Sequence, residues 1–290
     1  MSLTGVLNID KPLGVTSHDV VTQVRRALGE QRVGHAGTLD PLATGVLIVC
    51  VGPAVRLSEF LMASSKTYVA EVHLGRVTTT DDGEGAISAE VPVDHLRAEQ
   101  ISAALLPFAG DIVQIPPAYS AVKQDGKKLY QLVRRGKIVE AAPRRVRIDA
   151  LRLLDWSPPI ARIEIVCGPG TYIRSLARDL GAALGGGGSL AGLRRTVSGV
   201  FGAVDGLKGE VLSSYEALAA ALVPLRLALA DWPVVPLDQA ALTEILHGRR
   251  VKSAPREPGT LALGVTADGE VAALLRAVAD GWQPDRVLIG

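Results

Sequence analysis

One carboxylate stands out in the sequence for the way it is displayed. Residues 34–47 read Gly34-His35-Ala36-Gly37-Thr38-Leu39-Asp40-Pro41-Leu42-Ala43-Thr44-Gly45-Val46-Leu47. Gly34, Gly37 and Gly45 permit backbone angles closed to other residues. Pro41 removes a donor and drives Asp40 toward an extended conformation. The pattern predicts a shaped loop that presents Asp40 and then enters a buried strand at 46–51. A single positioned carboxylate can act as a nucleophile or a general base. An Asp before Pro also serves as an ordinary turn initiator, so the residues alone leave both roles open. His35, five residues earlier, is the nearest second titratable group.

Other chemistries lack their residues. The chain has no GxxxxGK[ST], HExxH, GxSxG or kinase signature. Gly168 and Gly170 begin a GxG that never gains its third glycine, so a dinucleotide site has no support. His18, His35, His73, His95 and His247 are scattered, and Cys50 and Cys167 lie in apolar surroundings with no CxxC spacing. Neither a metal nor a cofactor is expected. The start of the chain has no basic, apolar leader, and the most apolar stretch, 217–230, holds Pro224 and Arg226. A soluble cytoplasmic protein with no membrane partner is expected.

Charge supplies the second signal. The formal net charge of the 290 residues is +1. Yet Lys123, Lys127, Lys128, Arg134, Arg135, Lys137, Arg144, Arg145 and Arg147 crowd one stretch with only Asp125 and Glu140 against them, and that stretch carries +7. Such a run repels itself unless a polyanion meets it.

The elements that must position these groups follow from periodicity. A strand is predicted over 5–10, then a turn at Lys11-Pro12-Leu13-Gly14 and a helix capped by Thr16, Ser17 and Asp19 and closed by Gly29. Leu57, Phe60 and Leu61 mark a helix. Tyr68, Ala70, Val72 and Leu74 alternate on one strand face, 78–85 reads as a polar loop, and 96–108 as a helix. In the basic segment a strand is predicted at 118–122, a turn at 124–126, a short helix over 127–135 and a strand over 144–149. Residues 161–167 alternate as a strand. Ile173, Leu176, Ala177, Leu180 and Leu184 form a helical stripe, and the four glycines 185–188 read as a mobile connector. Composition changes near 231. Beyond it a short helix reaches His247, and strands are predicted at 260–265, 271–276 and 287–289. Length alone suggests about two domains.

Several of these segments together resemble the pseudouridine synthases, in detail the bacterial tRNA pseudouridine-55 synthases of the TruB type. The resemblance spans most of 3–205: GVLNIDKPLGVTS from Gly5, the GHAGTLDPLATGVL loop, Lys66-Thr67-Tyr68, Pro116-Pro117-Ala118-Tyr119-Ser120-Ala121, Gly170-Thr171-Tyr172-Ile173-Arg174-Ser175-Leu176 and Leu193-Arg194-Arg195-Thr196. It implies an α/β fold of the α+β type, with a central mixed, mostly antiparallel sheet, flanking helices and a small C-terminal β-rich PUA-like domain. It implies a catalytic domain over 1–230 with a thumb-like insertion at 116–147, and an RNA-binding domain over 231–290 with Arg249, Arg250 and Lys252 as a modest basic patch.

The implied reaction isomerises the uridine at position 55 in the tRNA T-loop. It breaks N1–C1′, turns the base and forms C5–C1′, with no cofactor. Asp40 is the implied nucleophile. Attack at C1′, an adduct on the base ring and a glycal route each use one carboxylate there. Arg174 is implied as its cationic partner, in an enzyme whose Arg174→Met variant keeps the fold. Tyr68 is implied to stack on the uracil, with Tyr172 and Leu193 lining the pocket and His35 entering the T-loop as the base is extruded. Lys123, Lys127, Lys128, Arg134, Arg135, Arg144 and Arg145 would grip the T-arm, and Lys11 and Pro12 would support the active loop. Pro169 departs from the family pattern and puts a phosphate contact there in doubt. A monomer is expected, with a tRNA-folding role beside catalysis.

Overall fold

Apolar runs form the strands here, and whether a run is continuous or alternating follows from how many faces are covered. The computed structural model describes residues 3–119, 123–124, 127–128, 141–252 and 257–289. Strands β1 (Gly5–Lys11), β2 (Val33–His35), β3 (Ala43–Val51), β4 (Lys66–Leu74), β7 (Gly110–Gln114), β10 (Arg144–Ser157), β11 (Ile160–Cys167), β12 (Gly188–Ser198) and β13 (Phe201–Gly202) build one nine-stranded sheet. Its spine runs β1-β3-β12-β4-β11-β10-β7, with β2 on β3 and β13 on β12. The β3–β12 pair is parallel and the other described pairs are antiparallel. The mixed, mostly antiparallel sheet is therefore present.

β3 is unbroken in its apolar character because both of its faces are covered. Leu47, Val49 and Val51 join the main core under the helices Ser17–Leu28, Ala98–Leu105 and Ile173–Ala183. Val46, Ile48 and Cys50 point into a second core. β4 alternates because only its Tyr68, Ala70, Val72 and Leu74 face is packed. The first helix begins as its sequence dictates: Thr16 and Asp19 form a capping box, and Gly29 ends it at φ 63°.

Two short pairs lie beside the sheet, β5 (Arg76–Thr78) with β6 (Ile87–Glu90), and β8 (Lys123–Gln124) with β9 (Lys127–Lys128). The second pair corrects the helix predicted from Lys127: at 127–128 the chain is a hairpin strand. Ala118 and Tyr119 are not in a strand. The remaining residues of the predicted 118–122 strand and 127–135 helix, Arg134 and Arg135 among them, lie outside the described residues.

The glycines at 185–188 are not a mobile connector. Gly186 and Gly187 donate to the carbonyl of Gly181, and Gly75 donates to that of Gly187. A Cβ on Gly181 would lie 2.1 Å from the Gly187 carbonyl carbon. These residues are small because helix and strand touch there. Gly188 already belongs to β12, a strand the periodicity did not announce.

Strands β14 (Val234–Pro236), β15 (Val251–Lys252), β16 (Leu261–Val265), β17 (Val271–Val278) and β18 (Gly281–Val287) form a second sheet in the order β14-β16-β17-β18-β15. The last strand precedes its predicted position. Pro284 lies within it, opposite Leu275, beside a register shift between Leu274 and Leu275. Leu263, Val265, Val271, Leu274 and Leu288 share the second core with Val46, Ile48 and Cys50. Arg286 pairs with Glu59 at 2.9 Å across the same junction. Among the described residues, no helix is long and apolar enough to cross a membrane.

Candidate active site

The Asp40 loop is the excursion between β2 and β3, and backbone bonds set its path. Ala36 N donates to Ile48 O at 2.8 Å, and Ala43 N to Asp40 O at 3.0 Å. Ser17 Oγ both donates to Leu39 O (2.9 Å) and accepts from Leu39 N (2.8 Å). From below, the fully buried Lys11 ammonium donates to the carbonyls of Pro12 (2.9 Å), Val15 (2.7 Å) and Pro41 (3.4 Å). Burial pushes the Lys11 pKa down, opposed by the charges of Asp40 and Asp19. Lys11 thus bonds both the 12–15 turn and Pro41, the residue after Asp40.

Asp40 keeps 39% of its side chain exposed, and its Oδ2 lies 3.1 Å from Arg174 Nε. Arg174 sits in the first turn of the helix Ile173–Ala183, with 9% of its side chain exposed. On the residues alone it resembled a solvated helix-face arginine; instead it is buried and fully bonded. Nη1 lies 3.3 Å from Asp82 Oδ2 and donates to Thr80 O at 3.2 Å, while Nη2 donates to Tyr119 O at 2.9 Å.

Asp82 was missed by sequence reasoning, which saw only a polar loop at 78–85. It is buried, and its Oδ1 accepts from Thr80 Oγ1 and from Glu84 N. Its neighbour Asp81 has φ 60° and is, among the described residues, the non-glycine residue with positive φ. Asp is among the few non-glycine residues that adopt this conformation routinely.

Tyr68 lies across the cleft on β4, directly opposite Arg195 of β12. The fully buried Arg195 donates through Nε to Val46 O (2.7 Å) and through Nη2 to Gly37 O (3.0 Å), its charge lying near Tyr68. Burial pushes the Tyr68 pKa up despite that cation, so its phenol stays protonated at neutral pH. Arg195 was visible in the sequence only as part of a motif. Its role as a buried tie between the loop and β3 had no signal, because its acceptors are backbone carbonyls. Gly45 (φ 98°) faces it, and a Cβ there would lie 2.1 Å from Arg195 O.

Leu193 pairs with Ala43 on one side and Ala70 on the other, and packs against the main core. Tyr172 caps the Arg174 helix, its N–H donating to Gln114 Oε1 at 3.0 Å. His35 ends β2 rather than lying in the loop proper. Its Nδ1 is buried with no hydrogen-bond partner among the described residues. Burial, then the Arg195 charge, push its pKa down, so the imidazole is neutral at neutral pH.

The structure therefore brings together Asp40, Arg174, Lys11, Pro12 and, across the cleft, Tyr68. Arg144 and Arg145 are exposed at the start of β10, and Lys123, Lys127 and Lys128 belong to the small hairpin. Among the described residues, no three His, Cys, Asp or Glu side chains converge to hold a metal ion.

With this geometry in hand, three kinds of likeness can be stated. The family model described as TruB family pseudouridylate synthase (N terminal domain) matches residues 25–173. A protein of Dehalococcoides mccartyi named tRNA pseudouridine synthase B is 42% identical, over 99% of this chain and 97% of its own. One of the same name from Gloeobacter violaceus is 49% identical, over 86% of this chain and 87% of its own. Among solved structures, a chain of the archaeal box H/ACA sRNP Nop10–Cbf5 complex superposes with a TM-score of 0.75 at 26% identity, covering 99% of this chain and 86% of that one. A chain of a Cbf5–Nop10–Gar1 complex gives 0.76 at 27% identity, covering 99% and 85%.

Proposed function

The chain belongs to the TruB family of pseudouridylate synthases, and from that premise we propose that its Asp40 cleft isomerises the uridine at position 55 of the tRNA T-loop. It is an RNA isomerase, and the full-length likeness to enzymes named tRNA pseudouridine synthase B makes tRNA its substrate. The observation that carries the site assignment is the Asp40–Arg174 ion pair at 3.1 Å. It leaves Asp40 partly exposed toward the cleft while Arg174 is locked behind it.

The chemistry asks little of a cofactor. The N1–C1′ bond breaks, the base turns, and C5–C1′ forms. The proton on C5 leaves and N1 gains one, so the product is an isomer of the substrate. Asp40 serves as the nucleophile, oriented by Arg174 and by the loop contacts from Ser17 and Lys11. Tyr68 offers a flat ring for the uracil and a protonated hydroxyl near its edge. Tyr172 and Leu193 complete the pocket.

The uridine must leave the T-loop to reach this cleft. His35, neutral and with a bare Nδ1, is suited to take its place among stacked bases. The segment 116–147 acts as a thumb on the T-arm, with Lys123, Lys127, Lys128, Arg134, Arg135, Arg144 and Arg145 on phosphates. Residues 231–290, as a PUA-like unit, hold the RNA farther out. The enzyme acts as a cytoplasmic monomer and remodels tRNA as it extrudes the base.

The test is incubation of C5-tritiated tRNA with wild type and Asp40→Asn. Wild type should release tritium and Asp40→Asn none above background. Release by Asp40→Asn overturns the assignment of Asp40. Refolding of tRNA without release by either protein replaces the enzyme reading with a chaperone one.

A further inference from the structure

Two arginines one helical turn apart bridge the same two segments. Arg174 ties the 80–82 loop to the Tyr119 carbonyl. Arg178 repeats this bridge one turn farther from the cleft. Its Nη1 lies 3.0 Å from Asp81 Oδ2, its Nη2 donates to Ile115 O at 3.1 Å, and its Nε donates to Asp179 Oδ1 at 2.9 Å. Ser175 Oγ adds a bond to the same Ile115 carbonyl at 2.8 Å. Among the described residues neither Arg178 nor Asp81 bonds Asp40 or Arg174, and both are largely covered, with 29% and 17% of the side chain exposed.

We propose that Arg178 and Asp81 are positioning residues of the isomerase, a pair that holds the acceptors of Arg174 at the spacing Arg174 needs to orient Asp40. This rests on the Asp40 reading above. A guanidinium is planar and rigid, so it satisfies several acceptors only where they already stand in the right places. The acceptors of Arg174 belong to three separate pieces of chain. The Asp40 piece is fixed by Ser17 and Lys11. The 80–82 piece is bonded to β12, Leu190 N donating to Asp81 O at 3.0 Å and Gly83 N to Leu190 O at 2.9 Å, and Arg178 adds to it a side-chain tie toward residue 115. Asp81 holds a left-handed backbone at φ 60°, next in the chain to the Asp82 that pairs with Arg174. Residues 115–119 contain Pro116 and Pro117, which have no N–H to donate. Their path is set from outside, by Arg178 and Ser175 at Ile115 and by Arg174 at Tyr119. One side chain, Arg178, thus ties the two pieces to each other.

The experiment measures single-turnover pseudouridine formation on saturating tRNA, together with tRNA affinity, for Arg178→Met, Asp81→Asn, the double variant and Arg178→Lys. Each single variant should slow the rate about tenfold, well inside the ~10²-fold that a misplacement of about 1 Å can cost. Affinity should stay within about twofold, since neither side chain faces the cleft. The double variant should be no slower than the slower single, because the two act as one unit. Arg178→Lys should recover part of the rate, since an ammonium still reaches Asp81. A wild-type rate in Arg178→Met, losses that multiply in the double variant, or lost affinity with an intact rate each overturns the proposal. Asp81→Asn, the same size as the native residue, carries the comparison if Arg178→Met loses its folded circular dichroism. Asp40→Asn run alongside separates the two readings. If it is active, the site assignment falls. If it is inactive while Arg178→Met is normal, only the positioning role falls.

Discussion

Arg174 shows how much one side chain is asked to do. It serves Asp40, Asp82, Thr80 and Tyr119 at once, which only the forked guanidinium can manage. This changes what its loss should do. The family resemblance alone predicts that Arg174→Met keeps its fold. In the structure Asp82 has 5% of its side chain exposed and would be left buried without its cation. Arg174→Met should therefore lose about 3–5 kcal/mol of stability along with turnover. Arg174→Met/Asp82→Asn should regain most of that stability in urea unfolding and none of the turnover. Equal stability of the single and double variants would show that Asp82 needs no counter-ion. Asp40, Arg174 and Tyr68 were legible in the sequence because each lies in a recognisable motif. Asp82 and Arg195 were not, because a counter-ion or a carbonyl tie between distant segments leaves no local spacing to read.

Among the elements, β1, β3, β4 and β11 were legible because packing on one face or two writes itself directly into apolar periodicity. β12 was not. It carries Arg194 and Arg195 in mid-strand, one pairing with Asp10 and the other buried against carbonyls. Such a strand has the composition of a loop, and four glycines before it strengthened that impression. The close approach of β12 to β3 can be measured at Gly45. Gly45→Ala forces a Cβ against the Arg195 carbonyl and strains φ, and should cost about 3 kcal/mol or more. Gly14 also has positive φ, but nothing lies within 4 Å of where its Cβ would be. Gly14→Ala should therefore cost only the strain, about 1–2 kcal/mol. Matching midpoints for the two variants in chemical unfolding would remove the close approach as a constraint.

At the scale of the molecule, the near-zero net charge conceals a strongly basic segment set against a mildly acidic remainder. That division suits a local grip on one folded RNA better than broad affinity for polyanions. The C-terminal sheet is joined to the first through a shared core. Ending the chain at Asp231 should uncover Val46, Ile48 and Cys50 with their neighbours and lower the unfolding midpoint. An unchanged midpoint would mark the first 231 residues as independently stable. The strand order carries a further consequence for how the protein is made. β1 and β3 pair early, β4, β11, β10 and β7 pair among themselves, and β12 lies between β3 and β4. Asp40 belongs to the first group, while Tyr68 belongs to the second. Synthesis from β4 to the end of β12 takes roughly 6–25 s at ordinary ribosomal rates. Until β12 is made, the Asp40 and Tyr68 parts of the site have no strand between them, and its late, long-range insertion joins them.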